Sequence, residues 1–178
     1  MKVLYVSGSP RRGGNTEILL ERARAITGGE LVRLADLSYA PCRSCWACRK
    51  GEECVIRDDL TPILDGLPGF QALVIGSPVH FNNVSALTKA FIDRTWPLRG
   101  RLRNKIGGAI VVGRRYGAES AITAIHAFFL KHEMIVGHRG VIGIAYEPGE
   151  IVGDREAMEM VERLAKRLLE LGSLMGHD

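Results

Sequence analysis

Four cysteines lie between positions 42 and 54, spaced Cys42-x2-Cys45-x2-Cys48-x5-Cys54. Three thiols at three-residue intervals in one loop can converge on a compact 4Fe–4S cubane, with the fourth thiolate just downstream. Structural zinc usually takes two Cys-x2-Cys knuckles on either side of a longer arm, and that arm is absent. Disulfides between such near neighbours would close very small, strained loops. The spacing therefore favours a cluster and leaves zinc and free or transient redox thiols as the other chemistries. Trp46 is placed to shield this loop. Asp58 and Asp59 resemble a catalytic carboxylate pair, but capping of a following helix, with Asp59 as the cap, explains them better.

A second chemistry is suggested by Ser7-Gly8-Ser9-Pro10-Arg11-Arg12-Gly13-Gly14-Asn15-Thr16, which joins an apolar run to a helical one. Free backbone N–H groups and the dipole at a helix N-terminus favour an anion. The hydroxyls of Ser7, Ser9 and Thr16, the Asn15 amide and the charge of Arg11 or Arg12 suit a phosphate monoester. A nucleotide P-loop is excluded because no lysine follows Gly13-Gly14. Pro10 interrupts the dinucleotide Gly-x-Gly-x-x-Gly pattern, which disfavours NAD as a tightly held cofactor. A low-molecular-weight phosphatase needs a Cys followed six residues later by Arg, and no cysteine here has one.

Two more loops complete the set. Ser77-Pro78-Val79-His80-Phe81-Asn82-Asn83-Val84-Ser85 offers an apolar shelf and backbone amides for a flat heteroaromatic ring, with Ser85 as the next helix cap. His80 is the histidine placed to touch such a ligand, as a packing or stacking group rather than a proton donor; Phe81 suits a core position equally well. Gly113-Arg114-Arg115-Tyr116-Gly117-Ala118 allows close backbone approach, and Tyr116 can cover one ring face.

These loops need elements to hold them. Lys2–Ser7, Glu30–Ala35, Ala72–Gly76 and Ile106–Val112 read as strands, with Met134–Val136, Val141–Ala145 or both as the fifth. Helices are expected over Thr16–Thr27 (Asn15 as cap), in a short turn containing Pro62, over Ser85–Trp96 (ended by Pro97), over Glu119–Lys131, and from Asp154 to a stop at Gly172. The last helix carries Ala157, Val161, Leu164, Leu168 and Leu171 at core spacing, and Glu159–Arg163 and Glu162–Lys166 as i, i+4 pairs. Apolar strands alternating with helices indicate a parallel sheet covered on both faces, whose ligand crevice lies at the strands' carboxyl ends. All three loops fall there.

The chain has 178 residues, 21 of them glycine, or about 12% against a usual ~7%. With no repeat or linker, 1–178 is expected to be a single domain, with a cysteine loop at 41–59. No apolar run approaches the length of a membrane span, and the N-terminus fits no signal peptide, so a cytoplasmic protein without a membrane partner is expected. The net charge is +4, and Arg94, Arg99, Arg101, Arg103 and Lys105 occur with no acid among them. They can form a docking patch for an acidic partner, a solvated loop or a subunit contact. Nucleic acid is not expected, since neither aromatic interleaving nor a recognised module accompanies them.

With these residues in hand, the chain resembles the iron–sulfur flavoproteins, a branch of the flavodoxin-like NADPH-dependent FMN reductase family. Gly8-Ser9-Pro10-Arg11 to Gly14-Asn15-Thr16 looks like that family's FMN phosphate loop. Ser77-Pro78-Val79 to Asn83-Val84-Ser85, continuing through Lys89-Ala90-Phe91-Ile92-Asp93-Arg94, looks like its isoalloxazine loop and following helix. The cysteine spacing is similar to that of the branch holding 4Fe–4S beside FMN. The family often has Tyr at His80, Gly at Asn82 and paired glycines at Gly117-Ala118; asparagine tolerates the left-handed backbone such a turn requires.

The resemblance implies a five-stranded doubly wound α/β sheet, order 2-1-3-4-5, with FMN contacted by Ser7, Ser9, Pro10, Arg11, Asn15, Thr16, Pro78, Val79, His80, Phe81, Asn82, Asn83, Gly113, Tyr116 and Gly117. Cys42, Cys45, Cys48 and Cys54 would ligate the cluster. It further implies a homodimer or homotetramer that passes electrons from a ferredoxin-like or NAD(P)H donor, through the cluster, to FMN and a small-molecule acceptor, with no catalytic side chain beyond the flavin contacts. A cluster-free NAD(P)H-dependent FMN or quinone reductase is the alternative, and a non-enzymatic electron carrier or redox sensor the second.

Overall fold

The computed structural model describes residues 1–50 and 53–177; residues 51 and 52 of the expected 41–59 loop lie outside them. The chain runs β1 (Val3–Ser7), α1 (Asn15–Thr27), β2 (Glu30–Arg33), α2 (Thr61–Gly66), β3 (Ala72–His80), β4 (Asn83–Val84), α3 (Ala86–Arg94), β5 (Ile106–Gly113), α4 (Ala118–Lys131), β6 (Ile135–Val136), β7 (Val141–Ile144) and α5 (Arg155–Leu174), with short 3-10 turns between. The parallel sheet has the order β2-β1-β3-β5, and both β6 and β7 pair with the far side of β5. The expected order thus holds, with the fifth strand supplied in two pieces separated by Gly137–Gly140. Val3–Ser7, Ala72–Ile75 and Ile106–Val112 are buried throughout, as strands covered on both faces must be. Leu73, Ile75, Phe91, Ile125 and Phe129 pack one face, and Val3, Tyr5, Leu19, Val161 and Leu164 pack the other.

Several local expectations are corrected. The second loop is mostly sheet: β3 continues through Ser77 and Pro78, which still pair with β5, and then turns back into β4. His80 faces Asn83 across a two-residue turn in which Phe81 and Asn82 have φ of 47° and 60°, the signs a tight hairpin with the twist of its strands requires. Gly14, rather than Asn15, caps α1, and Leu60, rather than Asp59, precedes α2. The Asp59 carboxylate accepts instead from the Ser38 N–H at 2.8 Å. Helix α3 stops at Arg94, before Pro97, whereas α5 runs through Gly172, where a Cβ would come within 2.7 Å of Met1 Sδ. Of the two pairs expected on α5, Glu159–Arg163 forms, while Glu162 is held by Arg22 of α1.

Candidate functional site

The carboxyl edge of the sheet carries a cleft of about 240 Å³. One wall is Ser9, Pro10, Arg11, Gly14, Asn15 and Thr16; the other comes from Pro78, Val79 and His80, with Gly113 at its base. Gly8 crosses beneath it, its N–H donating to the Gly76 carbonyl at 2.8 Å and its own carbonyl accepting from Ser85 Oγ at 2.6 Å. A Cβ at Gly8 would stand 1.8 Å from Thr88 Oγ1, so only glycine lets the loop lie this close to the start of α3. Ser9 Oγ then shapes the turn, accepting from the Arg11 N–H at 3.2 Å. Gly14 has no side chain to cap α1, and among the described residues no side-chain cap hydrogen bond is made there, leaving the donors that an anion needs at a helix N-terminus.

Charge around that turn is arranged to leave it open to an anion. Glu17, buried in the first turn, is paired with Arg33, whose Nε donates to it at 2.8 Å, and it also meets the Gly13 backbone. That hydrogen bond, reinforced by the guanidinium charge, holds the Glu17 carboxyl below its ordinary range despite burial. Arg12 pairs with Asp36, whereas Arg11 lines the cleft.

Not every expected contact lines this cleft. Ser7 is fully buried beneath it, its hydroxyl accepting from the Ser9 N–H. Phe81 projects into solvent rather than joining the core, and Asn83 Oδ1 accepts from the Val84 N–H. Tyr116 is 73% exposed, with Arg115 over its ring. Gly117, with φ 80°, lies against Asn82: a Cβ there would stand 2.4 Å from Asn82 Cα, so the third loop seats on the hairpin turn rather than on the cleft. Conversely, Arg114, Ala145 and Tyr146 line the cleft and were not expected to do so. Asn15 ties in the loop that carries Ala145 and Tyr146, its Nδ2 donating to the Glu147 carbonyl and its Oδ1 accepting from the Gly149 N–H, each at 2.8 Å. The signal available was Tyr146-Glu147-Pro148-Gly149, a turn directly after a strand, at the same edge as the other three loops.

The cysteines lie elsewhere. Cys42 and Cys48 line a cavity of about 430 Å³ with Trp46, Trp96, Phe128, Lys131 and His132. Cys54 lines a small neighbouring cavity beside Arg94, and Cys45 is exposed. All four thiols are free, and among the described residues no three His, Cys, Asp or Glu side chains form a group that could hold a metal ion. Burial, with the other three thiols adding to it, pushes Cys48 up.

The neck of this loop is closed by Arg94, which the sequence places in the basic patch but the structure buries to 1% exposure. Its guanidinium donates to the Ala40 carbonyl at 2.7 Å, the Ile56 carbonyl at 3.1 Å and both carboxylate oxygens of Asp58. Asp58 also accepts from the Ala40 N–H at 3.0 Å. Burial opposes the charge on Arg94, but Asp58, together with Cys54, outweighs it and holds its pKa up. The carboxylate thus fastens the loop and is not one of a catalytic pair.

Four buried side-chain polar atoms lack a partner among the described residues, and three of them sit under this loop: Arg94 Nε, Trp96 Nε1 and His132 Nδ1. Native interiors rarely leave such atoms unmatched. Two of the three are N–H donors beside free thiols, which is where thiolate and sulfide acceptors would fit, so donor set and surroundings suit an iron–sulfur cluster. The cleft fits FMN by its uncapped helix N-terminus, hydroxyls and apolar Pro78–Val79 shelf.

Residues 1–148 match the family of NADPH-dependent FMN reductases. The chain belongs to that family. It is 40% identical to an iron–sulfur flavoprotein of Methanocaldococcus jannaschii over 98% of this chain and 99% of that one. It is 34% identical to an iron–sulfur flavoprotein of Methanosarcina thermophila, over 98% and 97%. Among solved structures, RosB holding 8-demethyl-8-formylriboflavin-5'-phosphate superposes with a TM-score of 0.80 at 18% identity, covering 99% of this chain and 80% of that one. An archaeal flavodoxin does so with 0.62 at 15%, over 95% and 99%. The chain is thus an oxidoreductase of the iron–sulfur flavoprotein group, an FMN-binding redox protein with a flavodoxin-like fold. No helix among the described residues is long and apolar enough to cross a membrane.

Proposed function

We propose that FMN binds in the cleft at the carboxyl edge and that Cys42, Cys45, Cys48 and Cys54 hold a 4Fe–4S cluster, the chain acting as one unit over 1–178 with its cluster loop at 41–59. When bound, FMN supplies two-electron chemistry and the cluster exchanges single electrons, so together they would carry reducing equivalents from a ferredoxin-like donor to a small acceptor. The chain's part is to bind and orient. The first turn of α1, with Ser9 and Thr16, takes the phosphate; Pro78 and Val79 support the ring, with Gly113 giving Val79 room to pack; and His80 borders it.

The observation that carries the cluster reading is the set of unmatched buried donors beside four free thiols. Exposed Arg99 and Arg101 support an acidic donor, because both adjoin the cysteine loop: Arg99 donates to the Arg49 carbonyl at 3.0 Å, and Arg101 shares a cavity with Cys54. A cytoplasmic setting would keep the thiols reduced.

The absence of a converged ligand group among the described residues favours a second reading, a cluster-free NAD(P)H-dependent FMN or quinone reductase. A Bacillus subtilis relative, 27% identical over 94% of this chain and 98% of that one, is named a putative NAD(P)H-dependent FMN-containing oxidoreductase. Anaerobic purification with iron, sulfide and flavin analysis separates the two. About four irons per FMN supports the cluster. FMN without iron or sulfide selects the second reading, and failure to bind flavin after reconstitution overturns both.

A further inference from the structure

The unmatched atoms beneath the cysteine loop differ in what they can do. Burial pushes the pKa of His132 down and favours its uncharged form. Its Nε2 lies 3.0 Å from Thr95 Oγ1, and the Thr95 hydroxyl already donates to the Ile92 carbonyl at 2.7 Å. The ring also bonds the Leu98 backbone, so the single N–H proton of a neutral imidazole is already committed to the Thr95 hydroxyl or the Leu98 carbonyl. Trp96 Nε1 is the opposite case. An indole nitrogen is only ever a donor, and this one is buried, unmatched, and part of a side chain in the same cavity wall as Cys42 and Cys48.

The indole is also held in place. Trp46 packs against it edge-on with ring centroids 6.3 Å apart, and Arg99 lies 4.4 Å over the ring. An indole fixed in this way loses little freedom on meeting an acceptor. Trp46, which faces the same cavity, is 61% exposed, so water can satisfy its own N–H.

We propose that the Trp96 indole N–H donates a hydrogen bond to a thiolate or sulfide sulfur of the cluster, raising its potential. The proposal rests on the cluster reading given above. A one-electron reduction adds negative charge to the cluster, and a donor bonds more strongly to the more negative state. Hydrogen bonds to sulfur are among the factors that set such potentials.

The test is Trp96→Phe, which keeps an aromatic ring and removes the N–H, compared with Trp46→Phe, which trims the other cavity wall. Iron, sulfide and FMN per chain are measured in each protein, and the midpoint is read from an EPR-monitored titration. Trp96→Phe should keep its iron and shift the cluster to a more negative potential, with Trp46→Phe close to wild type. A full complement of iron with an unmoved potential overturns the hydrogen bond, as does an equal shift in both variants. Wild-type protein that binds FMN but no iron overturns the cluster reading instead.

Should Trp96→Phe lose its cluster, the sequence offers a second measurement, because it contains only two tryptophans. In the Trp46→Phe background, indole-15N labelling marks Trp96 alone. Pulsed EPR of the reduced cluster should then show a 15N coupling together with an exchangeable proton. Absence of both overturns the proposal.

Discussion

Glu17 shows how one residue can serve a site it does not enter. Its carboxylate sits in the first turn of α1, where an unpaired negative charge would oppose an incoming phosphate, and Arg33 neutralises it from β2. Because its pKa is held below the ordinary value, the pairing stabilises the fold fully above the unfolded-state value of about 4.5. That stability is lost as pH falls through the lower folded-state value. Arg33 is partly exposed, so solvent screening limits the effect to about 1–2 kcal/mol. Glu17→Gln should therefore unfold at lower denaturant concentration than wild type at pH 7, and the two should converge as the pH is taken below 4. A difference that persisted at acid pH would remove the ion pair as the cause. Asn15 serves the cleft in another way, holding the Glu147–Gly149 turn through both halves of its amide. Asn15→Ala removes two hydrogen bonds worth about 1 kcal/mol each. FMN affinity, read by flavin fluorescence quenching, should fall about tenfold or more; unchanged affinity would show that this turn does not help bind flavin.

At the scale of elements, the cysteine loop is an excursion whose ends are stitched together before any metal arrives. Arg94, at the last residue of α3, reaches Ala40 on one side and Ile56 and Asp58 on the other, while the Tyr39 hydroxyl donates to the Leu87 carbonyl on the same helix. Removing one partner of a buried ion pair leaves an uncompensated charge, a loss of about 3–5 kcal/mol. Asp58→Ala should lower stability by that order, measured by chemical denaturation, and slow iron incorporation on reconstitution while FMN still binds. Iron uptake at the wild-type rate would show that the clasp is irrelevant to the metal site. None of this was legible in the sequence, because it depends on contacts between residues 36 to 54 positions apart. Arg94 looked like one of five basic residues between 94 and 105, and Asp58 like part of a local cap, which it also is, its Oδ1 accepting from the Leu60 N–H at 3.1 Å. The elements themselves were legible, because buried parallel strands announce themselves by uninterrupted apolar runs and α5 by its core spacing. Their ends were not. Pro97 falls inside the 3-10 turn Trp96–Leu98 that follows α3 rather than at the helix end, and Gly172 is kept small for Met1 inside a helix it was expected to end.

Across the whole molecule the two candidate centres occupy different ends of the same helices. The cleft proposed for FMN draws on the loop preceding α4, and the cysteine cavity draws on Phe128, Lys131 and His132 at that helix's far end. The 14 residues of α4 span roughly 21 Å at 1.5 Å per residue. The two cavities share no lining residue. Loop position relative to the strands made the wall of the cleft formed by Ser9, Pro10, Arg11, Gly14, Asn15 and Thr16 readable in the sequence. The separation was not readable, because it depends on the cysteine loop leaving β2 and folding back along α3. It has a direct consequence for loss of a thiol. Cys48 lies in the wall of the cysteine cavity, which shares no lining residue with the cleft, so Cys48→Ala should lose iron and sulfide while binding one FMN per chain. Its flavin should still be reduced by a small chemical reductant at the wild-type rate, whereas reduction by a one-electron protein donor should fail if the cluster is the entry point. Loss of FMN together with iron would mean that the two centres depend on each other through the chain, against the separation seen in the fold.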